Sequence, residues 1–185
     1  GISINFASDK DISGIRTLNS ENLKYGMKDE IKKENGFLAY SPEEGILNQL
    51  AKRKEIIVAK GGGKVVGYLI LMERNFAYDN PFFRDFVVNS EKTRYGGKFL
   101  KDIQYVVLAQ VCISFNHRGK GILRKIYDFT KKEFSGRGFN IGIGEIDSTN
   151  IKSRKAHGKM GLDIIGEYLS KEGITWKIAV LKFGG

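Results

Sequence analysis

The chain has a single cysteine among its 185 residues, so an intramolecular disulfide is excluded. Two histidines beside that one cysteine are too few nitrogen and sulfur donors to suggest a zinc centre, and no metal is expected. No apolar run reaches the roughly 20 residues needed to cross a bilayer, so no membrane partner is expected. No basic-then-apolar leader opens the chain, and Gly1 stands where an initiator Met would. A processed start and a reducing, cytoplasmic setting are therefore expected. There is no repeat, low-complexity tract or linker, and the length suits one domain covering 1–185. Nor is there a basic stripe with interleaved aromatics, so nucleic acid is not an expected partner. The net charge of +10 comes from 31 basic and 21 acidic residues, with the lysines spread along the chain. Nucleic acid, an anionic membrane, a polyphosphate cofactor or simply a solvated lysine-rich surface accounts for it, and a basic nucleic-acid-binding protein is a further reading motivated by the charge alone.

What is present is enough for a substantial core: 41% hydrophobic residues, with 12 Phe and 8 Tyr. Ile2 to Phe6 alternates as a strand. Ser8-Asp9-Lys10-Asp11 offers caps for a helix to about Leu23, and the charged stretch 24–35 reads as a second short helix or an exposed connection. Ser41-Pro42-Glu43-Glu44 reads as a helix start, with Ser41 as N-cap and Glu44 closing a capping box. Ile46, Leu47, Leu50 and Ala51 supply the apolar face of that helix. Glu55 to Lys60 and Lys64 to Glu73 form a hairpin through Gly61-Gly62-Gly63, which lacks the spacing of a Walker loop. The stretch 75–104 is the least regular and rich in aromatics, and it is expected to be an insertion or lid.

Tyr105 to Phe115 is apolar enough for the centre of a sheet. It empties through Asn116-His117-Arg118-Gly119-Lys120-Gly121 into an amphipathic helix with Leu123, Ile126, Tyr127, Thr130 and Phe134 on one face. The first amides of a helix lack internal partners, and the helix dipole adds positive potential there. Gly119 and Gly121 permit positive φ and close backbone approach, while Arg118 and Lys120 add charge. The expected guest is a phosphorylated cofactor. A strand from Phe139 to Ile146, a helix from Asn150 to Met160, and a hairpin of Leu162 to Leu169 with Ile174 to Phe183 complete the chain.

This order, strand, helices, three strands, helix, strand, helix, two strands, resembles the GNAT superfamily of acyl-CoA-dependent N-acetyltransferases. Two motifs carry the resemblance. The Arg-x-x-Gly-x-Gly/Ala turn is matched by Arg118, Gly121 and Leu123, with Leu123 in place of a small residue. The Asn-x-x-Ala/Ser-x-x-x-Tyr-x-x-x-Gly-Phe pattern reads Asn150, Ser153, His157, Gly161 and Leu162, with His157 for Tyr and Leu162 for Phe. The resemblance implies an α/β (α+β) fold: a mixed, mostly antiparallel seven-stranded sheet, splayed between strands 4 and 5, with helices on both faces. It implies acetyl-CoA as cofactor, with the pantetheine arm along Val111, Cys112 and Ile113. It places the pyrophosphate on the amides of Arg118, Gly119, Lys120, Gly121, Ile122 and Leu123, and contacts near the reactive end at Asn150 and Ser153.

The chemistry so implied is acetyl transfer to a primary amine on a small molecule or peptide, by direct attack in a ternary complex. A lysine-like ammonium with a pKa of about 10.4 needs a base. Glu145 is the expected base, similar in placement to the catalytic Glu of ribosomal-protein N-terminal acetyltransferases. A strand-end ion pair is its structural alternative. Asp147 is the backup base, and Asp147-Ser148-Thr149-Asn150 also reads as a turn and cap. His157, at the position of the family's acid, is the candidate general acid. Cys112 reads as a core residue rather than an acyl carrier, and His117 as a shaper of the turn. A non-catalytic acyl-CoA-binding or sensing module of the same fold is the alternative function, and a monomer or homodimer is expected.

Overall fold

A computed structural model describes residues 1–23 and 38–184. The charged stretch 24–35 thus lies outside the described residues. In chain order the strands are β1 (Ile2–Phe6), β2 (Ile56–Gly61), β3 (Lys64–Glu73), β4 (Arg94–Tyr95), β5 (Lys98–Phe99), β6 (Tyr105–Ile113), β7 (Ile141–Asp147), β8 (Asp163–Leu169) and β9 (Thr175–Lys182). The helices are α1 (Ile12–Glu21), α2 (Glu44–Lys52), α3 (Arg74–Asp79), α4 (Arg84–Glu91), α5 (Ile122–Gly136) and α6 (Ile151–Lys159). Seven strands form one mixed sheet in the order β1-β2-β3-β6-β7-β9-β8. The β6–β7 pair is parallel, and β1–β2, β2–β3, β7–β9 and β8–β9 are antiparallel. β4 and β5 make a separate two-stranded ribbon. No described helix is long and apolar enough to cross a membrane.

The chain divides into two compact units, Gly1–Leu71 with Gln110–Thr130 and Met72–Ala109 with Lys131–Gly185. In the first, α1 buries Ile12, Ile15 and Leu18, and α2 buries Leu47, Leu50 and Ala51, at the three-to-four spacing of one helical face. The Asp11 carboxylate accepts the Ser8 amide at 2.9 Å and the Lys60 ammonium at 2.8 Å. The capping role expected at Ser41 is not realised. The first helical bond of α2 runs from the Leu47 amide to the Glu43 carbonyl, so Glu43 is the N-cap, and Pro42 is buried as packing. Behind the strands lies a closed polar network. The Asn19 amide donates to the Gln110 side-chain oxygen and the Tyr40 carbonyl, both at 2.9 Å. Gln110 donates to the same carbonyl at 2.7 Å, and the Tyr68 hydroxyl donates to Gln110, also at 2.7 Å. All three side chains are buried, so this pairing offsets their desolvation.

In the second unit the stretch 75–104 is more regular than expected: α3, α4, the β4–β5 ribbon and a short 3-10 turn, Leu100–Asp102. Its aromatics divide between core and surface. Phe83 and Phe86 are buried, whereas Phe82 is among the exposed apolar residues. The helical period was masked by Asn80-Pro81, which separates two helices too short to show it alone. The Arg74 guanidinium grips the Glu91 carboxylate, which also accepts the Tyr105 hydroxyl at 3.0 Å. Gly142 on β7 is required by close approach: a Cβ there would lie 2.8 Å from Leu108 Cδ2 and 2.9 Å from Phe183 Cζ. Gly142→Ala is expected to destabilise the protein by about 1–3 kcal/mol, read as a lower urea midpoint at unchanged slope.

Candidate functional site

The registered parallel pairing of β6 with β7 covers only Tyr105–Val107 against Ile141–Ile143. β6 itself continues to Ile113 and β7 to Asp147. Along the far part of β6, Gln110 and Cys112 are buried while Val111 and Ile113 are half-buried, the alternation of a strand with one covered face. Burial pushes the Cys112 thiol up to about 12, so it stays protonated, as the core reading of this residue requires.

Beyond β6, the Ser114 amide bonds to the Val66 carbonyl at 2.8 Å, and Phe115–His117 form one 3-10 turn. Gly119 and Gly121 follow at φ +74° and +79°, and α5 begins at Ile122. A Cβ at either glycine would meet nothing within 4 Å, so positive φ rather than crowding calls for glycine there. The turn is thus an open loop leading into the first turn of a 15-residue helix. Lys120 is exposed, but Arg118 has structural partners. Its Nε donates to the Ile113 carbonyl at 3.0 Å, and Nη2 donates to Asn22 Oδ1 at 3.1 Å. The buried face of α5 starts one residue earlier than expected, with Ile122 buried and Leu123 half-buried. Leu123, the residue that departs from the turn motif, therefore sits at the edge of that face.

In the second unit, Glu145 lies on β7 opposite Ile178 of β9, which in turn opposes Gly166 of β8. The Tyr168 hydroxyl donates to Glu145 Oε2. Burial raises the Glu145 carboxyl from an ordinary 4.5 to about 8. The Tyr168 hydrogen bond opposes that shift, and the Asp85 charge adds to it. Burial and the neighbouring carboxylates push the Tyr168 phenol well above its ordinary value, so it remains the donor. No cation pairs with Glu145 among the described salt bridges, which leaves it outside the surface ion-pair alternative.

Asp147 is buried and accepts the Thr149 amide and hydroxyl, at 2.9 and 2.7 Å, which makes it the anchor of the turn. Asn150 is the N-cap of α6, its side chain accepting the Ser153 amide at 3.4 Å. On α6, His157 Nδ1 lies 2.7 Å from the Ser153 carbonyl and 3.2 Å from its hydroxyl. A carbonyl can only accept, so Nδ1 carries the proton and Nε2 of the neutral ring is an acceptor. Burial lowers the His157 pKa below its ordinary value. Gly161 at φ +88° ends the helix, and Leu162 is buried. The partner Tyr168 went unnoticed in the sequence, since it stands 23 residues from Glu145 with a further strand between them in the sheet.

No family model matches the chain, and no curated protein matches it in sequence. Its fold, in contrast, is shared by solved acetyltransferase structures. The yncA structure from Salmonella typhimurium, with its cofactor acetyl-CoA, superposes with a TM-score of 0.65 at 17% identity, covering 100% of this chain and 95% of that one. The PaiA N-acetyltransferase of Thermoplasma acidophilum in complex with coenzyme A gives a TM-score of 0.64 at 12% identity, covering 99% of both. The ribosomal-protein-S18-alanine N-acetyltransferase of Escherichia coli gives a TM-score of 0.62 at 11% identity, covering 100% of this chain and 96% of that one.

Proposed function

We propose that this chain, whose fold is that of the GNAT acetyltransferases, transfers an acetyl group from acetyl-CoA to a primary amine. The observation that carries this reading is the open turn of Gly119 and Gly121, at positive φ, leading into α5 in a chain of that fold. The residues fit the cofactor. Amides of Gly119 to Leu123 would hold the pyrophosphate at a helix N-terminus, with Lys120 adding charge, the Arg118 amide being bonded to the Phe115 carbonyl at 3.4 Å. Backbone of Val111, Cys112 and Ile113 would take the pantetheine arm as an added strand, with Arg118 already bracing the Ile113 carbonyl. Acetyl-CoA, when bound, supplies the acetyl thioester, and the transfer is direct, since the buried Cys112 remains a thiol.

Glu145 is the base of this reading: its carboxylate takes the proton of the attacking amine. A carboxyl held at about 8 is well matched to that task near neutrality. His157 serves as acid only as the imidazolium, because the neutral ring donates through Nδ1 to Ser153 and has no proton on Nε2. With its pKa lowered, that cation is confined to the acid side of its ordinary 6.5. His157→Gln is therefore expected to leave kcat within about twofold at pH 8. A tenfold loss at that pH would show that a protonated His157 is needed where the ring is held neutral.

The test of the whole reading is paired: calorimetric binding of acetyl-CoA, and thiol release across a panel of primary amines, including a peptide N-terminus. Micromolar binding with turnover on at least one amine is expected, and absent binding would overturn the reading. The same neutral His157 favours one second reading, an acyl-CoA-binding module without transfer, which tight binding with no turnover on any amine would establish.

A further inference from the structure

Glu145 accepts the Tyr168 hydroxyl, and α4, the helix that carries Asp85, packs against the same tyrosine. Tyr168, on the edge strand β8, donates its hydroxyl to Glu145 Oε2. Asp85 stands in the first turn of α4, half-buried. The next residue, Phe86, is fully buried with its ring 6.5 Å from that of Tyr168, so α4 is packed against the same tyrosine that holds the carboxylate. No described salt bridge neutralises Asp85. Lys177 of β9 is held by Glu167 at 2.6 Å. Glu172, in the turn between β8 and β9, acts on Tyr168.

We propose that Tyr168 and Asp85 are a pair of positioning residues for Glu145. Tyr168 orients the carboxylate and favours its charged form, while Asp85 opposes that form. This inference rests on the reading of Glu145 as the base, but its geometry does not. A hydrogen bond to a charged acceptor stabilises it relative to the neutral acid, whereas a like charge nearby does the reverse. Removing each partner must therefore move Glu145 in opposite directions.

The experiment titrates Glu145 directly in the full-length protein, following its side-chain carboxyl carbon by NMR and assigning the resonance by its loss in Glu145→Gln. In Tyr168→Phe, which deletes only the hydroxyl, the midpoint is expected to rise by about one pH unit. In Asp85→Asn it is expected to fall by roughly half a unit or more. Where turnover is detected, the rising, acid-side limb of kcat/KM should shift with each midpoint, so that Tyr168→Phe loses about tenfold at pH 7 and recovers at high pH. An unmoved midpoint in either variant, or shifts of the same sign, would overturn the pairing even if the enzyme is active. Opposite shifts in a protein without turnover would uphold the pairing and remove the proposed function instead.

Discussion

Glu145→Gln is expected to lower kcat/KM for a primary amine by about 10²–10³-fold while leaving the Kd for acetyl-CoA within about twofold. Gln keeps the shape and accepts the Tyr168 hydroxyl, but it cannot take a proton. On the proposed reading only the proton-transfer step should suffer, so kcat falls and cofactor affinity survives. The pH dependence sharpens the test. With the carboxyl held at about 8, the base is ionised in only about one molecule in ten at pH 7. For an acceptor amine whose own pKa lies well below 7, kcat/KM should climb roughly tenfold per unit up to about pH 8 and then level. In Glu145→Gln that limb should vanish. Unchanged turnover, or a limb that persists in the variant, would take Glu145 out of the reaction.

The same group must leave a mark on stability, and its sign is the reverse of the usual carboxylate case. Between an unfolded value near 4.5 and the folded value of about 8, the native state holds a proton that the unfolded chain has lost. Unfolding then releases a proton, so stability falls as pH rises through that window and levels above it. Glu145→Gln should therefore gain stability over the wild type above pH 8, by an amount on the order of a few kcal/mol at most, and match it near pH 4. A gap that does not widen with pH would mean that the carboxyl titrates normally.

What could be read from residues alone was whatever is local. Gly119 and Gly121 announce a positive-φ turn without knowledge of the rest of the fold, and both adopt it. Asn150 with Ser153 three residues later is an N-cap by spacing, and the side chain does accept that amide. Element order followed from period and turn chemistry, and the seven-stranded, mostly antiparallel sheet with one parallel pair agrees with it. What stayed hidden is non-local or off by a single position. Arg118 looked like charge for an anion, yet it also ties the turn to Asn22, 96 residues away in sequence. Tyr168 reads as an ordinary strand aromatic until the sheet places β8 with only β9 between it and β7 and its hydroxyl reaches Glu145. Ile122 and Leu123 are both apolar, and only the phase of α5 decides which is buried. Ser41 fits a capping box, but burying Pro42 moves the helix start to Glu43.

Gly121→Val is expected to weaken acetyl-CoA binding by at least tenfold, with a smaller loss for Gly121→Asn. At φ +79° a β-branched residue is strained by about 1–3 kcal/mol, whereas Asn tolerates the left-handed region far better. Nothing lies within 4 Å of the added Cβ, so the cost is one of backbone conformation rather than a clash. The chain relieves it by rotating the peptide that leads into Ile122. That rotation turns the first amides of α5 away from the direction a pyrophosphate needs, at the point where helix dipole and unpaired N–H groups coincide. The core is untouched, since Gly121 is exposed, and so the unliganded melting temperature should drop by only a few degrees. Calorimetry on the two variants and on Lys120→Ala separates geometry from charge. Lys120→Ala removes an exposed cation and should soften with added salt, whereas the Val variant should remain weak at every ionic strength. Equal affinities for Val, Asn and wild type would mean that the cofactor's phosphates do not rest on this turn.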